Sequence, residues 1–178
     1  WTRDSKRILY TTDIHDGKFS SRALMSMSPS GKDIMPVFKE PFDIAGFLRP
    51  KDSDRIVLAT QSQSSLAAEI TILEADGRRT IHKVVDQGFA VPKLFDYAGL
   101  PLVSDDGKKI ATMANSRTLN PELYEVEPKQ RRLTTSQRPE FQEIKWANHE
   151  PISFKAKDGS TVHGVLITKP GLDKTKKH

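Results

Sequence analysis

Short apolar runs separated by polar, turn-rich segments dominate the chain. Ile8-Leu9-Tyr10, Leu24-Met25-Ser26-Met27, Ile56-Val57-Leu58-Ala59, Ile70-Thr71-Ile72-Leu73, Ile110-Ala111-Thr112-Met113 and Leu123-Tyr124-Glu125-Val126 are the clearest. Asp, Gly, Ser or Pro bounds them, and runs of that length and composition fold as β-strands. Helix is scarce. One stretch, Ser62 to Glu69, reads as a helical or irregular insertion.

The runs recur in a fixed order. Asp4-Ser5-Lys6-Arg7-Ile8 returns 48 residues later as Asp52-Ser53-Asp54-Arg55-Ile56, and 54 residues after that as Asp106-Gly107-Lys108-Lys109-Ile110. A second landmark, an apolar run ending in a turn, repeats at offsets of 46 and 53: Ser28-Pro29-Ser30-Gly31, Glu74-Ala75-Asp76-Gly77 and Glu127-Pro128-Lys129-Gln130. One more strand follows each turn, at Ile34 to Phe38, Thr80 to Val85 and Arg132 to Thr135. Another precedes the second and third Asp motifs, at Ile44 to Leu48 and Leu100 to Val103. Four strands per unit of about 50 residues is the pattern of β-propeller blades. The expected fold class is therefore all-β: a partial β-propeller of about three four-stranded antiparallel blades, near residues 1–40, 41–91 and 92–140. The first lacks its opening strand, since the sequence begins at Trp1. A β-sandwich of irregular hairpins is the alternative, but it gives no reason for the Asp motif to return in register.

The texture changes near Pro139. Residues 141–178 read as a linker and one β-hairpin. Ile152 and Phe154 alternate, Asp158-Gly159 is a hairpin turn, Val162 to Ile167 is the return strand, and Pro170 stops it. A lone hairpin is too small to be stable by itself. It is expected to begin a further domain.

Composition narrows the function classes. Hydrophobic residues are 36% and charged residues 29%, which suits a folded chain, and no run approaches the length of a membrane span. Cysteine is absent, excluding disulfides, thiolate nucleophiles and Cys-based zinc sites. The net charge is +5, with basic clusters only at Lys129-Gln130-Arg131-Arg132 and Lys174-Thr175-Lys176-Lys177. Both read as solvated surface, so neither nucleic acid nor membrane is an expected partner. No signal peptide is visible at the start. The expected setting is soluble, cytoplasmic or periplasmic.

Trp146, Glu150-Pro151-Ile152-Ser153-Phe154, Asp158-Gly159, His163-Gly164-Val165-Leu166 and Pro170 together resemble the junction between propeller and hydrolase in the prolyl oligopeptidase family of serine peptidases. Trp1-Thr2-Arg3-Asp4-Ser5 and Ser104-Asp105-Asp106-Gly107-Lys108-Lys109-Ile110 are similar to that family's blade motif. Asn120-Pro121-Glu122-Leu123-Tyr124 with Arg132-Leu133-Thr134 resembles the last blade of its dipeptidyl aminopeptidase and acylaminoacyl peptidase members. The blade motif is shared with non-enzymatic TolB-like propellers. Two turns depart from it: Arg49-Pro50-Lys51-Asp52-Ser53 has no Gly, and the first motif has neither Pro nor Gly.

The resemblance implies a Ser-His-Asp triad with the serine in a Gly-x-Ser-x-Gly elbow. That elbow occurs nowhere in the 178 residues, so no catalytic residue is assigned. The histidines, His15, His82, His149, His163 and His178, show no metal-ligand spacing, and no cofactor or metal site is assigned. Asp13-Ile14-His15-Asp16-Gly17 reads as a polar hairpin loop, His149 as a linker residue preceding a strand, and His163 as an outward strand position. The repeated Asp reads as a turn former rather than a cation ligand. Trp1 and Trp146 read as packing residues at strand ends.

The resemblance implies a serine exo- or oligopeptidase fragment, itself inactive, whose propeller gates access of peptide substrates. The inter-domain hinge is expected near Pro139 to Phe141. A TolB-like module for protein binding is the alternative. A partial propeller leaves two sheet faces without neighbours, so the chain is expected to self-associate through them.

Overall fold

The computed structural model describes residues 1–16, 19–39, 42–62, 68–84, 101–116 and 118–172. Among these, all regular structure is β apart from one 3-10 turn at Pro139–Glu143. Strands β1 (Ile8–Asp16), β2 (Phe19–Met27) and β3 (Met35–Phe38) form a first sheet in that order. The second holds β4 (Phe42–Leu48), β5 (Ile56–Ser62), β6 (Ala68–Leu73) and β7 (Arg79–Lys83), and the third β8 (Leu102–Val103), β9 (Ile110–Ala114), β10 (Glu122–Glu127) and β11 (Arg131–Arg132). Both run in sequence order, and every pairing is antiparallel. Strands β12 (Asn148–Lys155) and β13 (Thr161–Thr168) form a separate hairpin.

The Asp motif builds the same turn twice. Thr2 N–H donates to Arg7 O at 2.9 Å, and Ser104 N–H donates to Lys109 O at 3.0 Å. Thr2 Oγ1 donates to Asp4 Oδ1 at 2.6 Å, and Ser104 Oγ to Asp106 Oδ1 at 2.7 Å. Each carboxylate also accepts an N–H two residues on, from Lys6 at 3.1 Å and from Lys108 at 3.0 Å. These bonds, the hydroxyl first, hold both carboxyls below the usual aspartate range. The tip needs a left-handed residue. Gly107 supplies it at φ 72°, and Ser5 accepts it at φ 57°. The second motif differs: Asp52 N–H donates to Asp105 O of the third motif, at 2.8 Å.

Register puts equivalent residues on equivalent faces. From the first sheet, Leu9, Leu24 and Phe38 pack on Ile44, Phe47, Ile56, Leu58 and Leu73 of the second. The opposite face of the second sheet, carrying Val57, Ile70, Ile72 and Val84, packs on Val103, Ile110, Ala114, Tyr124 and Val126 of the third. The middle sheet is thus covered on both faces, which is why Ile56 to Ala59 is a continuous apolar run rather than an alternation. In β10 the covered face is Glu122, Tyr124 and Val126, and Leu123 points away. Each fully buried Leu, Ile or Val contributes about 1.5–3 kcal/mol.

Several local expectations need correction. The polar segment Asp13 to Asp16 is not loop but the second half of β1, paired residue for residue with β2. Ladder bonds are made by the backbone, so polar side chains do not end the strand. Gly17 lies outside the described residues. So does most of the expected insertion after Ser62, whose ends, Ser62 and Ala68 to Glu69, are strand. The last strand of the third unit is only Arg131–Arg132; next to it Leu133 N–H still donates to Leu123 O at 2.7 Å, and the chain then turns to the Glu122 carboxylate through Thr134 and Ser136. His149 lies inside β12, opposite Ile167, rather than before it. Trp1 is exposed rather than packed, and its carbonyl accepts Arg49 Nε at 2.9 Å. Trp146 stacks on Phe141 at 6.4 Å between ring centroids.

In the β12–β13 hairpin, Gly159 turns the chain at φ 82°, with Asp158 Oδ1 accepting Ser160 N–H at 3.0 Å. Ile152, Phe154 and Leu166 share one face and are exposed, as is Ile167 on the other. Among the described residues no helix is long and apolar enough to cross a membrane.

Candidate functional site at the sheet junctions

Chemistry-bearing side chains gather where sheets meet. Arg55, the residue before β5, lies between two carboxylates. Its Nε is 3.1 Å from both oxygens of Glu74, and its Nη2 is 2.7 Å from Glu74 Oε1. Its Nη1 is 2.9 Å from Glu127 Oε2 and also donates to the Gly107 carbonyl. His82 Nε2, on β7, sits 3.3 Å from Glu127 Oε1. Burial works against the Arg55 charge, but the bonds to Glu74 and Glu127 outweigh it and raise the guanidinium above its ordinary pKa. The cluster joins the second sheet to the third. Sequence spacing did not single it out, although Glu74 and Glu127 occupy the same position of the repeat, 53 residues apart.

A cleft of about 550 Å³ opens between the first and second sheets. Leu9, Val37, Ile56 and Leu73 contribute apolar lining, and Arg7 and Arg49 stand beside them. Both arginines are committed to structure. Arg7 donates to Ser26 Oγ at 3.0 Å, to Ser26 O at 3.2 Å and to the Asp33 carbonyl. Arg49 donates to Trp1 O and, at 3.1 Å, to Ser53 O. The lining hydroxyl, Thr2, serves the first turn.

Glu122 forms a third cluster. It is buried at the start of β10 and accepts Thr134 Oγ1, Ser136 N–H at 2.6 Å and Ser136 Oγ at 3.0 Å. Leu123 N–H donates to Thr134 Oγ1 at 2.9 Å. One carboxylate thus clasps the chain as it leaves the third sheet for the 3-10 turn. The Thr134 hydroxyl, then the Ser136 donors, lower the Glu122 pKa against the opposing effect of burial. A carboxyl lowered in the folded state stabilises above its unfolded pKa, and that contribution is lost as pH falls through the folded value. The expected result is that urea midpoints of the wild type and Glu122→Gln differ most near neutrality and converge in acid below about pH 4. A pH-independent difference would sink the clasp as described.

His163 lies opposite Ser153 and His149 opposite Ile167, both in the hairpin. His15 lies on β1, and His178 lies outside the described residues. Among the described residues no three His, Asp or Glu side chains come together as a metal set. Comparison with known proteins gives no match, either to a protein-family model or to a curated protein.

Proposed function

We propose that the three sheets are consecutive blades of a β-propeller, and that the hairpin after them begins the hydrolase domain of a serine peptidase of the prolyl oligopeptidase type. The observation that carries this is the order of parts. Three sheets, each entered through the Asp-led sequence motif, pack in one sense, then a clasped exit at Glu122 leads to a hairpin with apolar residues on both faces. A hairpin so exposed on both sides is the edge of something larger. In this reading the propeller restricts the active site to short peptides by steric exclusion, and the chain supplies lid and hinge but no nucleophile.

The coding sequence that follows His178 tests the proposal. The peptidase reading expects Gly-x-Ser-x-Gly on a strand–turn–helix pattern, with Asp and His later. A further Asp-led blade motif with no elbow would replace it with a binding module, since fold alone does not fix function. The 178-residue chain should neither cleave dipeptidyl or acyl-aminoacyl substrates nor react with a fluorophosphonate. Labelling of the chain itself would overturn the assignment of roles.

A further inference from the structure

We propose that the open face of the third sheet takes the open face of the first sheet of a second copy, head to tail, by the packing the chain already uses twice internally. Each sheet has a forward face, turned toward the next sheet in sequence, and a rear face turned toward the previous one. Both internal interfaces join a forward face to a rear face. Among the described residues the outermost pair is left: the forward face of the third sheet and the rear face of the first.

Equivalence under the repeat shows what these faces are built to meet. Ile70 on the forward face of the second sheet is 4% exposed; its equivalent on the third, Leu123, is 40% exposed. Ala59 is 5% exposed and its equivalent, Met113, 46%. Leu123 and Met113 are cross-strand partners, and Leu102, paired with Ala111, extends the same face at 70% exposure. The rear face of the first sheet presents Ile8, Tyr10, Met25 and Met27, all only half-buried. Their equivalents in the third sheet, Ile110, Thr112, Tyr124 and Val126, are buried.

A contiguous apolar face on a regular sheet marks an interaction surface. Continuity with the two existing interfaces selects the occupant: a rear face of the same repeat. For the 178-residue chain, another copy is the source of that face. Twisted sheets stack in a fixed sense, so forward against rear preserves the packing, whereas forward against forward reverses it. A heterologous contact of this kind closes into a ring when its rotation adds up to a full turn. The inference stands on sheet packing and does not depend on the peptidase reading.

The chain has no cysteine, so single thiols report the contact cleanly. Leu123→Cys and Met25→Cys chains, mixed and mildly oxidised, should give the disulfide heterodimer in large excess over either homodimer. Charge variants supply a second readout. Leu123→Lys with Met113→Lys removes the forward face, and Met25→Lys removes the rear face; circular dichroism and melting should show both still folded. Sedimentation of the wild type between about 1 and 100 μM should show a discrete associated species. Each charge variant alone should lose it, and mixing the two should restore a single heterodimer. A monomeric wild type across that range, Leu123→Cys cross-linking chiefly to itself, or association persisting in either charge variant would overturn the proposal.

Discussion

Replacing Gly107 by alanine is expected to lower the stability of the chain by about 2–5 kcal/mol, while Gly77→Ala costs about 1–2 kcal/mol. Both glycines hold a left-handed conformation, at φ 72° and φ 84°, which an L side chain adopts at a cost of roughly 1–2 kcal/mol. Their surroundings differ. A Cβ at Gly77 meets open space, whereas one at Gly107 lies 3.0 Å from Ser53 Cβ and Oγ and 3.2 Å from Pro50 Cγ. Overpacking of that kind costs about 1–3 kcal/mol more. The excess of Gly107→Ala over Gly77→Ala in urea melts therefore measures how closely the turn of the third sheet sits on that of the second. Ser53→Gly in the Gly107→Ala background should return part of the loss. Equal costs at the two glycines would mean that the turns do not touch. Against a typical total of about 5–15 kcal/mol, the larger loss is serious.

Arg55→Ala should cost about 2–4 kcal/mol, because it leaves Glu74 and Glu127 without their cation in a partly buried site. The Arg55 side chain is only 18% exposed, so solvent screens the cluster weakly. Arg131 forms an ion pair with Glu125 while 62% exposed, and Arg131→Ala should cost less than about 1 kcal/mol. Arg55→Lys keeps the charge but loses the fork that meets Glu74 with two nitrogens, so it should fall between the two. Raising salt should erase the Arg131 effect and leave most of the Arg55 effect. A double-mutant cycle between Arg55, which leads into the second sheet, and Glu127 of the third should show coupling, since they share a direct bond. Matching losses for Arg55→Ala and Arg131→Ala would remove the cluster from any account of how the sheets join.

The sequence was most legible where burial imposes a pattern. The inner strands β2, β5, β6, β9 and β10 and the first half of β1 show as apolar runs, because one face, or both in the middle sheet, must leave water. The Asp motif also showed, because a turn needs particular side chains at fixed spacing. What stayed hidden is held by other forces. The segment Asp13 to Asp16 at the end of β1 is mostly polar and is held in the sheet by backbone pairing with β2, so it reads as loop. The end of the third sheet depends on Glu122, a buried carboxylate in a residue type that ordinarily signals surface. Arg55, Glu74 and Glu127 are distant in sequence and meet only through stacking of sheets. Trp1 was misread because an aromatic side chain says how much area is available to bury, not whether a neighbour is there to bury it.

Val57 and Leu58 are consecutive, and their side chains enter opposite neighbouring sheets. Methyl–methyl and methyl–aromatic NOEs in a selectively labelled sample give the most direct test of that stacking. The account predicts NOEs from Leu58 to Leu24 and Phe38, and from Val57 to Ile110, Tyr124 or Val126, with none joining Leu24 to Val126. If Val57 and Leu58 report the same neighbouring sheet, or Leu24 reports Val126, the three sheets are not stacked in sequence order.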